Sequence, residues 1–286
     1  MPFSAADSSN KSKGRDCLAC GQPLGANRTN EHVIPEWLLV ELGENEEPLI
    51  QIAANAITGE MKQARPPHPM KAFREGRACG KCNSGWMSEL EVKTRPLLIE
   101  RINGTRSASS LTEAERLVVA RWTLKTAVVL SHAIGMGQPL PAEHLHMIRE
   151  SESQLPARVG VFAATAAAVQ NFCYRQRNEW LNVRPTDTPT ELIAEDEGIH
   201  GIERAYKVSL QFRHILLIVA HLPRAAEEFV LAAGLHVPIW ANPVLPAYAV
   251  NLDVGPPYEE AVLAKFNDSL GAIYVPDKSG VNKRGD

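Results

Sequence analysis

Apolar residues recur at helical spacing over one long stretch: Leu117, Ala120, Leu124, Ala127 or Val128, and Ile134, with Ser131 on the same face. Other faces of this stretch are apolar as well, which predicts a central, packed helix rather than a surface one. Thr112-Glu113-Ala114-Glu115 is a capping box that opens it, and Gly135-Met136-Gly137 stops it. Arg121 and Lys125 share one ridge and are expected to snorkel out to solvent. Shorter helices are predicted at 36–42, between Pro35 and Gly43, and at 83–93, where Trp86, Met87 and Leu90 form the apolar stripe. Pro96 is expected to begin a separate helix over 97–102, closed by Gly104. Pro141 opens another through His146 to Arg149, and 259–270 is amphipathic and ends at Gly271.

Beyond residue 150 the period changes from helix to strand. Residues 158–162 and 169–175 read as strands, and 207–213 alternates strictly before a buried run at 215–219. Residues 231–240 predict an edge strand limited by Pro238, and 272–275 a return to the sheet. Upstream, 49–52 reads as a short strand, and Arg65-Pro66-Pro67-His68-Pro69 must be extended or turn-like because three prolines restrict their neighbours. The expected class is therefore α+β: a small N-terminal unit at 15–103, then an α+β domain with a mainly antiparallel sheet at 111–276. Residues 1–14 read as a disordered lead-in, 186–203 as an acidic link, and 277–286 as a frayed tail.

Composition narrows the picture. With 44% hydrophobic and 22% charged residues, the 286-residue chain is an ordinary globular one, and its net charge of −3 excludes a uniformly basic nucleic-acid coat. Any nucleic-acid contact must use a local patch. Lys62, Arg65, Lys71, Arg74 and Arg77, with Lys81 close behind, form such a patch with few acids nearby. The longest apolar run is interrupted by Arg121, Lys125 and His132, and the first fifteen residues lack the apolar core of a secretory signal, so a membrane is not expected.

Four of the five cysteines lie in Cys17-Leu18-Ala19-Cys20 and Cys79-Gly80-Lys81-Cys82; Cys173 stands alone and is expected to be a buried thiol. Two such pairs are a standard tetrahedral zinc arrangement. A redox centre would need a helix after the first pair, which Gly21-Gln22-Pro23 denies, and a reducing cytoplasm, the expected compartment, disfavours a disulfide. Between the pairs lies Thr29-Asn30-Glu31-His32-Val33-Ile34-Pro35, and immediately after them Asn83. Glu31, His32 and Asn83 could serve a second, hydrated cation. Strand neighbours point to opposite faces, so Glu31 and His32 can work together only if the strand is twisted or bulged there.

This order of thiol pair, Glu-His, thiol pair, Asn resembles the HNH endonucleases, whose ββα-metal finger is often pinned by a four-cysteine zinc. Cys-Asn-Ser-Gly-Trp-Met-Ser-Glu-Leu-Glu, followed by Trp122-Thr123-Leu124-Lys125-Thr126, is similar to an uncharacterised bacterial HNH-like subgroup. The resemblance implies that His32 is the general base and that Glu31 and Asn83 hold magnesium or manganese. Cys17, Cys20, Cys79 and Cys82 would hold structural zinc, and the substrate would be nucleic acid, DNA first. The chain carries Glu31 where many members have Asp, and Asn83 where a second His is common; Asn45 and Asn55 are the candidates for the middle Asn. Two other readings stand beside it. The cysteines fit equally well in a non-catalytic zinc module presenting nucleic acid or protein to the second domain. A hydrolase site built on His214 or His221 is the third, although a histidine beside an apolar strand is more often a satisfied core residue.

Overall fold

A computed structural model describes residues 16–43, 48–54, 61–106, 110–134, 139–178, 206–221, 237–241 and 271–274. The architecture is α+β with antiparallel sheets. Strand β1 (Arg28–His32) pairs antiparallel with β4 (Arg74–Cys79) in a two-stranded ribbon. Between them lie α1 (Glu36–Leu42) and the hairpin of β2 (Pro48–Ala54) and β3 (Met61–Pro69). The predicted strand at 49–52 is thus longer and paired, and the proline-rich stretch is extended within β3. Gly43 closes α1 with φ of 73°, a left-handed conformation in which a side chain would be strained.

After the ribbon come the single turn α2 (Gly80–Cys82), a wide π-type turn over Asn83–Met87, and α3 (Ser88–Ile102). The helix expected at 83–93 becomes regular only from Ser88, because Gly85 adopts ψ of −119°, outside the helical range. Pro96 does not start a new helix; it sits inside α3. The carbonyl it leaves without an N–H partner is that of Val92, whose side chain is 71% exposed, so water can satisfy that face.

α4 (Glu113–Ile134) begins at the predicted box: Thr112 N–H donates to Glu115 Oε2 at 2.7 Å, and Glu115 N–H donates to Thr112 Oγ1 at 3.3 Å. Among the described residues it is the one helix long and apolar enough to cross a membrane, yet its side chains are packed inside the protein. Here the snorkelling expectation fails. Lys125 is 1% exposed and donates to Glu91 of α3 at 2.5 Å, while buried Arg121 donates to the Ile148 carbonyl of α5 (Glu143–Glu150) at 2.5 Å. α4 is covered on every side, so both cations find internal partners instead of water.

The sheet is built on one long ribbon, β5 (Val159–Asn178) against β6 (Tyr206–His221); the two strands predicted in 158–175 are one continuous element. Ring centroids of Tyr206 and His221, at opposite ends of β6, are 5.3 Å apart. A straight 16-residue strand would separate its ends by roughly 50 Å, so β6 folds back on itself. The bend lies where the pairing register slips, at Arg213, whose φ is 51°. Arg213 there reaches across to Asn103 Oδ1 at 2.8 Å and the Glu41 carbonyl at 2.9 Å, clasping the ends of α3 and α1. One arm of the ribbon carries β7 (Val237–Ala241) on Gly160–Ala163. The other carries β8 (Gly271–Tyr274), which in turn pairs with β2.

A single cluster of buried apolar side chains runs from Cys17 to Val219, with Trp122 of α4 at its centre between Trp37 and Phe212. Cys173 is a buried thiol. The helix expected at 259–270 and the link at 186–203 lie outside the described residues.

Removing Glu91 takes the carboxylate from a buried ammonium. Glu91→Ala is expected to cost about 3 kcal/mol, toward the low end for a broken buried pair because Glu91 keeps some exposure. Urea unfolding followed by tryptophan fluorescence checks it.

Candidate metal centre and its ribbon

The first cysteine pair sits on a tight turn. Gly21 N–H donates to the Cys17 carbonyl at 2.8 Å, Cys17 N–H donates to the Gln22 carbonyl at 2.7 Å, and Gly21 takes φ of 69°. Leu18 N–H donates to the Arg77 carbonyl at 2.7 Å, which lays the turn against β4. The second pair spans the junction where β4 ends and α2 begins. Together they bring four sulfurs within 4.8 Å of one another, Cys20 and Cys79 being 3.8 Å apart. Metal–sulfur bonds of about 2.3 Å in a tetrahedron place sulfurs about 3.8 Å apart, so the cluster fits a structural metal such as zinc.

Charge within the cluster points the same way. Burial pushes the Cys20 and Cys82 thiols up. Burial also opposes ionisation of Cys79, but hydrogen bonds from the Cys82 backbone and the neighbouring thiols outweigh it and bring Cys79 down. Negative charge on one sulfur makes charge on the next costlier, and only a cation at the centre lets all four ionise together. Cys79 N–H already donates to Cys17 Sγ at 3.3 Å, as thiolate sites commonly require.

No known family model, curated protein or solved structure matches this chain. Its chemistry must therefore be read from its own side chains.

β1 and β4 slip in register between Thr29 and Glu31, with the extra residue on β4, whereas Glu31 and His32 themselves pair with consecutive residues of β4. Glu31 lies opposite Glu75 and His32 opposite Arg74; the Glu31 side chain is outside the described set. Val33 and Ile34 leave the ribbon into the core, both 1% exposed, and anchor its exit. Burial first, then the Arg74 cation, holds the His32 imidazole below its ordinary range, against the opposing pull of Glu36 and Glu91. That downward shift favours the neutral imidazole at pH 7.

Asn83 is tied to the same ribbon through a residue that sequence reading did not single out. Thr29 Oγ1 donates to the Ala78 carbonyl at 2.9 Å, so its lone pairs are what remain for Asn83 Nδ2, 3.2 Å away. The amide must therefore turn its nitrogen to Thr29 and its oxygen away, the orientation a cation ligand needs.

The basic residues do not act alike. Lys71, Arg74 and Lys81 are exposed around the ribbon, whereas Lys62 and Arg65 are placed on β3, with side chains outside the described set. Arg77 turns inward: its backbone N–H and its Nε both meet Glu75 Oε1, at 2.9 and 3.5 Å. Its guanidinium also donates to His132 Nδ1. His132 Nε2–H in turn donates to the Leu140 carbonyl at 2.8 Å. Asn45 and Asn55 lie outside the described residues, and the residue across the ribbon from His32 is Arg74. Of the two distant histidines, His214 is exposed; His221 is buried against His144 and Tyr206 in a ring cluster. Thr29, Glu75, Glu91 and His132 carried no spacing signal, because each matters only through a partner far away in sequence.

Elemental analysis of freshly purified protein should find one structural metal per chain. Cys82→Ser should lose it and open the segment 16–24 to protease, while Cys173→Ser should change neither. Thr29→Val keeps shape but removes both hydrogen bonds, and the side-chain amide of Asn83 should lose its fixed orientation, read as averaging of its ¹H–¹⁵N signals.

Proposed function

We propose that the protein is a metal-dependent nuclease of the HNH type, hydrolysing phosphodiester bonds of nucleic acid, DNA first. One observation carries this reading. The strand bearing Glu31 and His32 is paired to the strand that ends in the second cysteine pair, and Asn83 hydrogen-bonds back onto it at Thr29. The four cysteines then bind zinc, the metal that favours four thiolates and has no redox chemistry of its own. The reducing cytoplasm keeps such a set as thiolates.

In this reading His32 takes a proton from the attacking water, which its neutral state allows. Glu31 and the outward-turned oxygen of Asn83 hold a hydrated magnesium or manganese ion, which would supply positive charge for the leaving oxygen. Exposed Lys71 and Lys81 flank the ribbon and can take the phosphate backbone electrostatically, while inward-facing Arg77 props β4 against α4 through His132. Binding should therefore weaken steeply with salt.

The rival reading is a silent zinc module, and it too has an observation on its side: His32 Nδ1 is occupied by Arg74. A cleavage assay separates the two. Purified protein is incubated with supercoiled plasmid or single-stranded DNA, with magnesium, manganese or chelator. Cleavage should require the cation, and His32→Ala should lower its rate about 100- to 10,000-fold while leaving zinc content and DNA binding in place. Equal cleavage by His32→Ala, or none by the intact protein with zinc bound and DNA retained, defeats the nuclease reading.

A further inference from the structure

The contact that favours the silent module has another meaning once its hydrogens are placed. Arg74 stands directly opposite His32 in the ribbon, and its Nη1 donates to His32 Nδ1 at 3.3 Å. A guanidinium has no acceptor and does not give up its protons, so the direction of this bond is fixed: Nδ1 presents its lone pair. A neutral imidazole has one lone pair and one N–H, so the proton lies on Nε2. The one nitrogen of His32 that could take a proton from water is thus the nitrogen that Arg74 covers.

What lifts a guanidinium from a neutral imidazole is an anion. Guanidinium bonds to phosphate oxygens join opposite charges and can be two-pronged, whereas the bond to His32 is a single one to a neutral acceptor. Arg74 is exposed, and among the described side chains no carboxylate pairs with it. It differs in this from Arg77 two residues on, which is committed to Glu75 and His132.

We propose that Arg74 is a substrate-operated cap on His32. It holds the imidazole as the Nε2–H tautomer, and a phosphodiester that draws the guanidinium onto its non-bridging oxygens frees Nδ1. The freed lone pair then accepts a proton from water as the water oxygen bonds to phosphorus. The bond from phosphorus to the leaving oxygen breaks with its electron pair, and that oxygen takes a proton from solvent. The base is exposed only when a phosphate is in place. Arg74 is here a positioning residue as well as a phosphate contact, and the proposal rests on the nuclease reading above.

The test reads the tautomer directly, apart from activity. Full-length, zinc-loaded protein with ¹⁵N-labelled histidine is examined by long-range ¹H–¹⁵N correlation at neutral pH, with His32→Ala identifying the His32 signals. The intact protein should show His32 as the Nε2–H form, and dimethyl phosphate with magnesium should shift its Nδ1 resonance. In Arg74→Ala the two nitrogens should move toward a mixture of tautomers before any diester is added, and Arg74→Lys should not restore the intact pattern. Unchanged His32 nitrogens in Arg74→Ala overturn the proposal, as does a diester shift of equal size in both proteins. In the cleavage assay Arg74→Ala should raise KM about 10-fold, with most of the loss in kcat/KM falling on KM. A loss confined to kcat overturns it too. If the intact protein cleaves nothing, the nuclease reading fails, and the nitrogen shifts still decide whether Arg74 holds His32.

Discussion

Four sulfur atoms within 4.8 Å of one another hold together two pieces of chain on either side of the β2–β3 hairpin. Cys20 and Cys79 are 59 residues apart in sequence, and closing so long a loop costs conformational entropy that a bare turn could not offset. The soft, four-thiolate donor set is suited to meeting that cost with a metal. Everything proposed for the site depends on this closure. It sets where β4 ends and where α2 begins, and hence where Asn83 stands relative to the strand that carries His32.

The ribbon is not an appendage. Arg77 crosses from β4 to His132 of α4, Glu91 of α3 meets Lys125 of α4, and Arg213 clasps the ends of α1 and α3. The β2–β3 hairpin joins the large sheet through β8. α4 sits among these contacts with cations and indoles alike covered, and the folded-back β5–β6 ribbon wraps the same core. Charges buried in this way are weak contributors to net stability but are costly to orphan. They therefore act chiefly as constraints on how the ribbon, the helices and the sheet may be arranged.

Within the site, hydrogen-bond direction carries most of the information. An Arg can only donate, and a Thr hydroxyl that donates to a carbonyl can only accept from an amide. These two rules orient His32 and Asn83 without any appeal to distance alone. The first puts a lone pair beneath Arg74; the second turns an amide oxygen away from Thr29.

Much of this protein can be read along its chain wherever a residue acts through its near neighbours. The capping box at Thr112, the left-handed glycines at 21 and 43 and the extent of α4 are local, and each appears where its pattern predicts; β6 is a strand as its alternation predicts, but its polar positions Ser209 and Gln211 are buried too. The two cysteine pairs also announce one another, because so few chemistries need two. Tertiary structure alone decided what depended on a distant partner. It made Lys125 and Arg121 buried rather than snorkelling, since only packing reveals that α4 is covered on every side. It let Pro96 remain inside α3, since only the fold shows that the affected face meets water. It folded β6 back at Arg213, sent Arg77 inward to His132, and set Arg74 on His32, 42 residues away in sequence, through the pairing of β1 with β4. Such pairings are choices among many partners of the same chemistry, and packing, not spacing, makes them.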